Sequence, residues 1–162
     1  MKTGRVWIIV LFLILWSGLQ PVAAPAGPAT GQSRGQTVYL PVYSHIYYGD
    51  RARKINLTVT ASVRNTDPAA TVTITSVKYY DSNGVLIEDY LEAPQDLGPL
   101  AAARWLVAES DLKGGSGACF VIKWKASQKV SPPVVQGIMI GTVSTQGISF
   151  LTEGQVIEEA GD

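Results

Sequence analysis

From Ile55 to Asn65 the chain alternates without a break. Ile55, Leu57, Val59, Ala61 and Val63 interleave with Asn56, Thr58, Thr60, Ser62 and Arg64. Successive side chains of an extended strand point to opposite faces, so this stretch writes one apolar face and one wetted face. It is rich in Thr and Val, and neither Gly nor Pro interrupts it. Such residues suit a half-buried pleated surface. The spacing predicts one long antiparallel strand over 55–65, its apolar face on a core.

The start of the chain reads differently. Lys2 and Arg5 precede the apolar run Val6–Trp16, Pro21 ends any helix there, and Ala24-Pro25-Ala26 supplies small residues. This is the pattern of a secretory signal peptide over residues 1–26, cut after Ala26. Val6–Leu19 is shorter than the ~20 residues of a spanning helix, so membrane contact through this segment is expected only if it stays uncleaved. Cleavage leaves eleven basic and thirteen acidic residues. That balance gives no electrostatic reason to bind nucleic acid. Cys119 is the single cysteine, so no internal disulfide can form and stability must come from an apolar core. The rest of the chain is long enough for one domain to bury such a core.

Residues 27–36 hold Gly, Pro, Ala, Ser and Gln with no large apolar side chain, and read as a flexible linker. The folded domain is expected over 37–157. Thr37–Tyr43 contains Pro41 and predicts an edge or bulged strand. Asn65-Thr66-Asp67-Pro68 is a turn in which Asn and Asp bond to nearby backbone. Val72–Tyr80 and Val85–Leu91 flank Asp81-Ser82-Asn83-Gly84, a hairpin connection. Glu92–Pro99 reads as a crossing loop. Ala101–Val107 fits a strand or a short helix. Cys119–Lys125 places Phe120, Ile122 and Trp124 on one face, with Trp124 as the central core aromatic. Val134–Val143 is apolar on both faces, which predicts a central strand. Ser144–Gly147 turns the chain back into Ile148–Leu151. Residues 158–162 read as a frayed acidic tail. About eight strands with regular turns and no helix predict an all-β, antiparallel, immunoglobulin-like β-sandwich without a disulfide.

One larger pattern runs through the chain: Val38-Tyr39-Leu40-Pro41-Val42-Tyr43-Ser44-His45-Ile46-Tyr47-Tyr48-Gly49, Asn65-Thr66-Asp67-Pro68, and Tyr79-Tyr80-Asp81. It continues with Gly114-Gly115-Ser116-Gly117-Ala118, Phe120, Trp124, Met139-Ile140-Gly141 and Gln146-Gly147-Ile148-Ser149-Phe150. Together these resemble the bacterial family known as domain of unknown function 3124, small exported proteins, over about Val38–Ile157. The resemblance implies a bacterial source and a single domain. It supplies no activity and no site residues.

Candidate chemistry is sparse. His45 is the only histidine and sits among Tyr43, Ser44, Tyr47, Tyr48 and Asp50. A polar-aromatic site with His45 as acid or base and Asp50 orienting it is one reading; packing aromatics on a bulged strand is the other. Ser44 and His45 are adjacent, so a regular strand would point them apart. Gly114-Gly115-Ser116-Gly117 fails the Gly-x-Ser-x-Gly spacing at Ala118 and lacks the Lys of a phosphate loop. It reads as a flexible loop that forms a pocket only if it lies beside Tyr43–Asp50. One His, one Cys and, after cleavage of the signal segment, Met139 alone of the methionines make a poor metal set, and no cofactor is implied. Cys119 is expected to be inert, and the Asn56-Leu57-Thr58 sequon accidental in a bacterial protein. Arg51-Ala52-Arg53-Lys54 can touch anionic headgroups, though four residues read first as a solvated loop.

The expectation is an exported, periplasmic or extracellular, non-catalytic binding module whose partner is an envelope protein or a small ligand. Its expected surface comprises Tyr43, Ser44, His45, Tyr47, Tyr48, Asp50, Gly115 and Ser116. The alternative is a small-ligand or hydrolytic protein centred on His45, with Asp50 and Ser116.

Overall fold

The alternation of 55–65 is kept in the structure, but two strands share it. The computed structural model describes residues 31–143 and 146–160. The proposed signal peptide, linker residues 27–30, Ser144 and Thr145 of the expected turn, and the last two residues of the expected tail lie outside the described residues. In chain order the strands are β1 (Ser33–Pro41), β2 (His45–Tyr48), β3 (Arg53–Asn56), β4 (Thr58–Arg64), β5 (Val72–Tyr80) and β6 (Leu86–Asp89). They continue with β7 (Gln95–Leu97), β8 (Ala102–Val107), β9 (Cys119–Val130), β10 (Val134–Val143), β11 (Gln146–Glu153) and β12 (Gln155–Glu159).

Two antiparallel sheets form the sandwich. One has the order β12-β1-β9-β5-β6, with β7 also paired to β5; the other has the order β11-β10-β4-β8. A separate two-stranded ribbon, β2-β3, is hydrogen-bonded to neither sheet's strands, although β3 packs against β10 at Gly141. The chain passes repeatedly between the sheets, so their inner faces fill one core. Leu40, Val42, Leu57, Val59, Val63, Ile74, Val77, Tyr79, Phe120, Ile122 and Met139 are fully buried there. Trp124 is 2% exposed and lies among them, as its spacing predicts.

The break in 55–65 falls at Leu57. Its side chain keeps the buried phase of Val59, Ala61 and Val63, but its N–H donates to the Ser44 carbonyl at 2.9 Å. Here the chain leaves the ribbon, where β3 pairs β2, and enters the sheet, where β4 lies between β10 and β8. Gly141 on β10 makes this transfer possible. A Cβ there would collide with the Asn56 carbonyl and the Leu57 side chain.

The strands number twelve rather than eight. Val72–Tyr80 and Val134–Val143 fall where the alternation puts them. Ala102–Val107 is a strand, because Ala103, Trp105 and Val107 face the core while Ala102, Arg104 and Leu106 face out. Val134–Val143 is central, between β11 and β4. Its second apolar face is nevertheless open, with Val134 and Ile140 exposed. The additional strands are β2, β3, β7 and β12.

Both ends of the domain extend further than composition suggests. Ser33–Gln36, expected in the linker, form the first half of β1, with Ser33 and Gln36 buried. Glu158 and Glu159, expected to fray, close β12 against β1. Glu159 accepts from the Ser33 hydroxyl and the Gln36 side-chain amide, both at 2.7 Å, and Glu158 from the Thr37 hydroxyl at 2.9 Å. Those donors give the acidic end a place on the sheet that no apolar pattern announces. β1 is therefore an interior strand, not an edge. Pro41 is tolerated at its end, beyond Tyr39, where the β12 pairing stops.

Asn65 holds the turn after β4. It is 2% exposed. Its amide donates to the carbonyls of Ala70, Leu97 and Gly98, and its oxygen accepts from the Asp67 N–H. Asp67 in turn accepts from the N–H groups of Ala69 and Ala70. The turn thus ties the β4–β5 connection to the segment before β8.

Candidate functional site

Tyr47-Tyr48 and Arg53-Lys54 are spaced symmetrically about the tip 49–52, and the hairpin pairs them in register: Tyr47 with Lys54, Tyr48 with Arg53. The tip closes with the Ala52 N–H donating to the Gly49 carbonyl at 3.0 Å. Gly49 supplies the positive φ of 66° that the turn needs, and Ala52 also sits at a positive φ of 46°. Every residue from 47 to 54 is exposed. Tyr47 is 51% and Tyr48 39% accessible. The Lys54 ammonium lies 5.6 Å from the Tyr47 ring centre, and the Arg53 guanidinium 5.6 Å from that of Tyr48. Each cation is held by the negative face of a ring.

The base of the ribbon is locked. Ser44 is fully buried, and both its N–H, at 3.0 Å, and its hydroxyl, at 3.1 Å, donate to the Gly115 carbonyl. The loop Gly114–Gly117 therefore does lie beside the Tyr43–Tyr48 segment. It is a fixed 3-10 turn over Gly115–Gly117 rather than a flexible loop. Ser82 clasps it from the other side: its hydroxyl donates to the Gly114 carbonyl and accepts from the Gly117 N–H, each at 2.9 Å. Gly114 is required because a Cβ there would overlap the Tyr79 hydroxyl. That hydroxyl is buried without a partner, and burial pushes the Tyr79 phenol up.

His45 is 6% exposed. Its Nε2 shares a hydrogen bond with the Tyr47 hydroxyl at 3.2 Å, and the two rings meet edge to face at 5.1 Å. Its Nδ1 is buried with no partner. Burial, and then the nearby Lys54 charge, hold the imidazole below its ordinary value. Asp50 is exposed at the ribbon tip and Ser116 exposed on the turn. Among the described residues neither makes a hydrogen bond to His45, and Ser44 donates to Gly115 instead. The base-orienting carboxylate and the nucleophile of the hydrolytic reading are thus not assembled. Tyr43 is half-buried and packs edge to face on Phe150 at 5.8 Å, a core contact rather than part of the exposed ribbon.

Sequence reasoning named the tyrosines and, separately, the basic run Arg51-Ala52-Arg53-Lys54, but did not pair Arg53 and Lys54 with the rings. The signal was present as the palindromic spacing of Tyr-Tyr and Arg-Lys about a Gly-Asp turn. It also missed Ser82, which no local pattern connects to Gly114.

Elsewhere, a cleft of about 250 Å³ is lined by Gln36, Thr37, Thr75, Lys123, Glu158 and Glu159, among others. It is smaller than the ~300–1,000 Å³ of ordinary ligand pockets, and both its carboxylates are already bonded within the fold. Among the described residues no three His, Cys, Asp or Glu side chains gather as metal ligands. Cys119 is buried and its thiol is pushed up by burial. No helix among the described residues is long and apolar enough to cross a membrane.

The family described as "Protein of unknown function (DUF3124)" matches residues 35–157. No curated protein matches the chain. The crystal structure described as Thermotoga maritima 1070 is similar at 11% sequence identity, over 77% of this chain and 97% of that one, with a TM-score of 0.46.

Proposed function

The chain belongs to the DUF3124 family, whose function is unknown and whose match spans nearly the whole sandwich, and from that premise we propose that it is an exported, non-catalytic binding module of the bacterial cell envelope that makes contact through the β2–β3 hairpin. One observation carries the reading. Two exposed tyrosines with cations on their faces project from a base that Ser44 and Gly115 hold fixed. Aromatic rings and Arg give interfaces much of their contact energy, and a fixed base lowers the ordering cost of binding. Export rests on Lys2, Arg5, the apolar run Val6–Trp16 and Ala24-Pro25-Ala26.

In-cell photocrosslinking tests it. A photoreactive phenylalanine analogue at position 47 or 48 is expected to give a discrete envelope adduct. The same group at the exposed position Thr71 should give none. Equal labelling from position 71, or no adduct from 47 and 48, removes the hairpin as the contact surface.

A second reading, a small-ligand site at His45, has one feature in its favour: a buried Nδ1 without a partner, which a ligand donor would satisfy only if the packing around the ring opens. A thermal shift that His45→Ala abolishes would support it.

A further inference from the structure

Charge is distributed unevenly between the hairpin and the rest of the fold. The eight residues 47–54 carry Arg51, Arg53 and Lys54 against the single carboxylate of Asp50. The other described residues hold eight Lys and Arg against eleven Asp and Glu. Among the described residues the ion pair present is Lys78–Asp89, so the hairpin cations have no carboxylate partner there. Among the described residues, Arg53 and Lys54 instead lie over the faces of Tyr48 and Tyr47.

The ribbon also carries this chemistry on both sides. Cross-strand partners share a face and adjacent residues do not. Tyr47 with Lys54 therefore occupies one face, and Tyr48 with Arg53 the other. A single flat protein partner covers one face of a ribbon. A layer of lipid headgroups surrounds an inserted tip and meets both. Tyrosine suits that layer, because its ring takes the apolar side and its hydroxyl the wet side. Lys and Arg stems reach alongside with their charges at the phosphates.

We propose that the β2–β3 hairpin docks on an anionic phospholipid surface, with Arg51, Arg53 and Lys54 at the headgroup phosphates and Tyr47 and Tyr48 seated between headgroups. This rests on the hairpin being the contact surface and adds the class of partner. The acidic excess elsewhere makes the hairpin the part of the domain drawn toward negative charge, so it also sets the orientation. Each basic residue at such a surface strengthens binding about five-fold. Three give about a hundred-fold over a neutral tip, an effect screened as the Debye length falls from ~10 Å at 0.1 M salt to ~3 Å at 1 M.

The test is co-sedimentation of the full chain with phosphatidylcholine vesicles, with and without phosphatidylglycerol, at low and at molar salt. Any partition through Val6–Trp16 is independent of lipid charge and common to all variants, so the reading is the increment caused by phosphatidylglycerol. The expected result is a salt-sensitive increment that falls about a hundred-fold in Arg51→Gln/Arg53→Gln/Lys54→Gln. That increment should grow in Asp50→Lys and shrink in Tyr47→Ser/Tyr48→Ser. Asp50, Arg51, Arg53, Lys54 and Tyr48 are exposed and hold no buried group, so the charge variants should melt like the wild type, whereas Tyr47→Ser also takes the partner of the His45 Nε2 and is read at a temperature below its own melt. Equal partition into both vesicles, or an increment that survives the triple substitution, overturns the lipid assignment. If a discrete protein adduct still forms from position 47 or 48, the hairpin remains a contact surface for an acidic protein partner. If none forms, the binding-module reading falls with it.

Discussion

His45 is a histidine that the fold wants neutral. Its Nδ1 faces no acceptor, so a proton placed there would be a buried, unpartnered donor. Lys54 adds a like charge. The unfolded chain carries no such constraint and takes up the proton near the ordinary value of 6.5. Below that value the unfolded state holds more protons than the folded one, and stability falls with pH. The contribution is complete above about 6.5 and is lost as pH drops toward the lower folded value. Asp67 and Asp81 also favour the folded state when ionised, held down chiefly by the N–H groups of Ala69 and Val85 respectively. Their window opens only below their ordinary value of 3.8, so the two regimes separate. The melting midpoint is expected to fall between pH 7.5 and 5, and His45→Gln should flatten that fall. A wild type and a variant with parallel profiles across this range would remove His45 as the cause.

Among the elements, β9 carries the largest share of the core and shows why some strands are legible and others not. It lies between β1 and β5, and Trp124 pairs in register with Gln36 and Ile74. Removing the indole leaves a large cavity, so Trp124→Ala is expected to cost about 3–5 kcal/mol in denaturant unfolding. The indole N–H has no partner, so Trp124→Phe loses no hydrogen bond and should cost only about 1 kcal/mol. Similar costs for both would mean that the N–H matters after all. Phe120, Ile122 and Trp124 could be read from the sequence because each buries an apolar side chain on one face. β5 and β10 were legible for the same reason. The ribbon was not: β2 and β3 bury little beyond His45, and Ala52 at its tip takes a positive φ that alanine does not advertise. Nor was the site's assembly. Ser44 and Gly115 are 71 residues apart, and their hydrogen bond follows from sheet packing rather than from any local pattern.

At the scale of the whole molecule, the last strand protects the first. All five residues of β12 are exposed, so its removal takes little from the core. It does satisfy one edge of β1, through the Gln36–Tyr39 pairing, the carboxylate bonds to Ser33, Gln36 and Thr37, and the Ala160 N–H to the Gly35 carbonyl at 2.8 Å. An uncovered strand presents unpaired N–H and C=O groups to any other chain. β1 would be a strong template, because Val38 and Leu40 fix its register against the core. A chain ending at Gly154 is therefore expected to keep its near-ultraviolet signature and most of its stability. It should also self-associate with concentration in size-exclusion chromatography. A synthetic peptide spanning 155–160 should return it to monomer by adding the strand back. The same peptide with Glu158→Lys and Glu159→Lys should fail, since lysines cannot accept from Ser33, Gln36 and Thr37. If the shortened chain stays monomeric with an unchanged melt, β12 is not what closes the sheet. Global unfolding on truncation would instead place the C-terminal carboxylates among the groups that hold the fold itself.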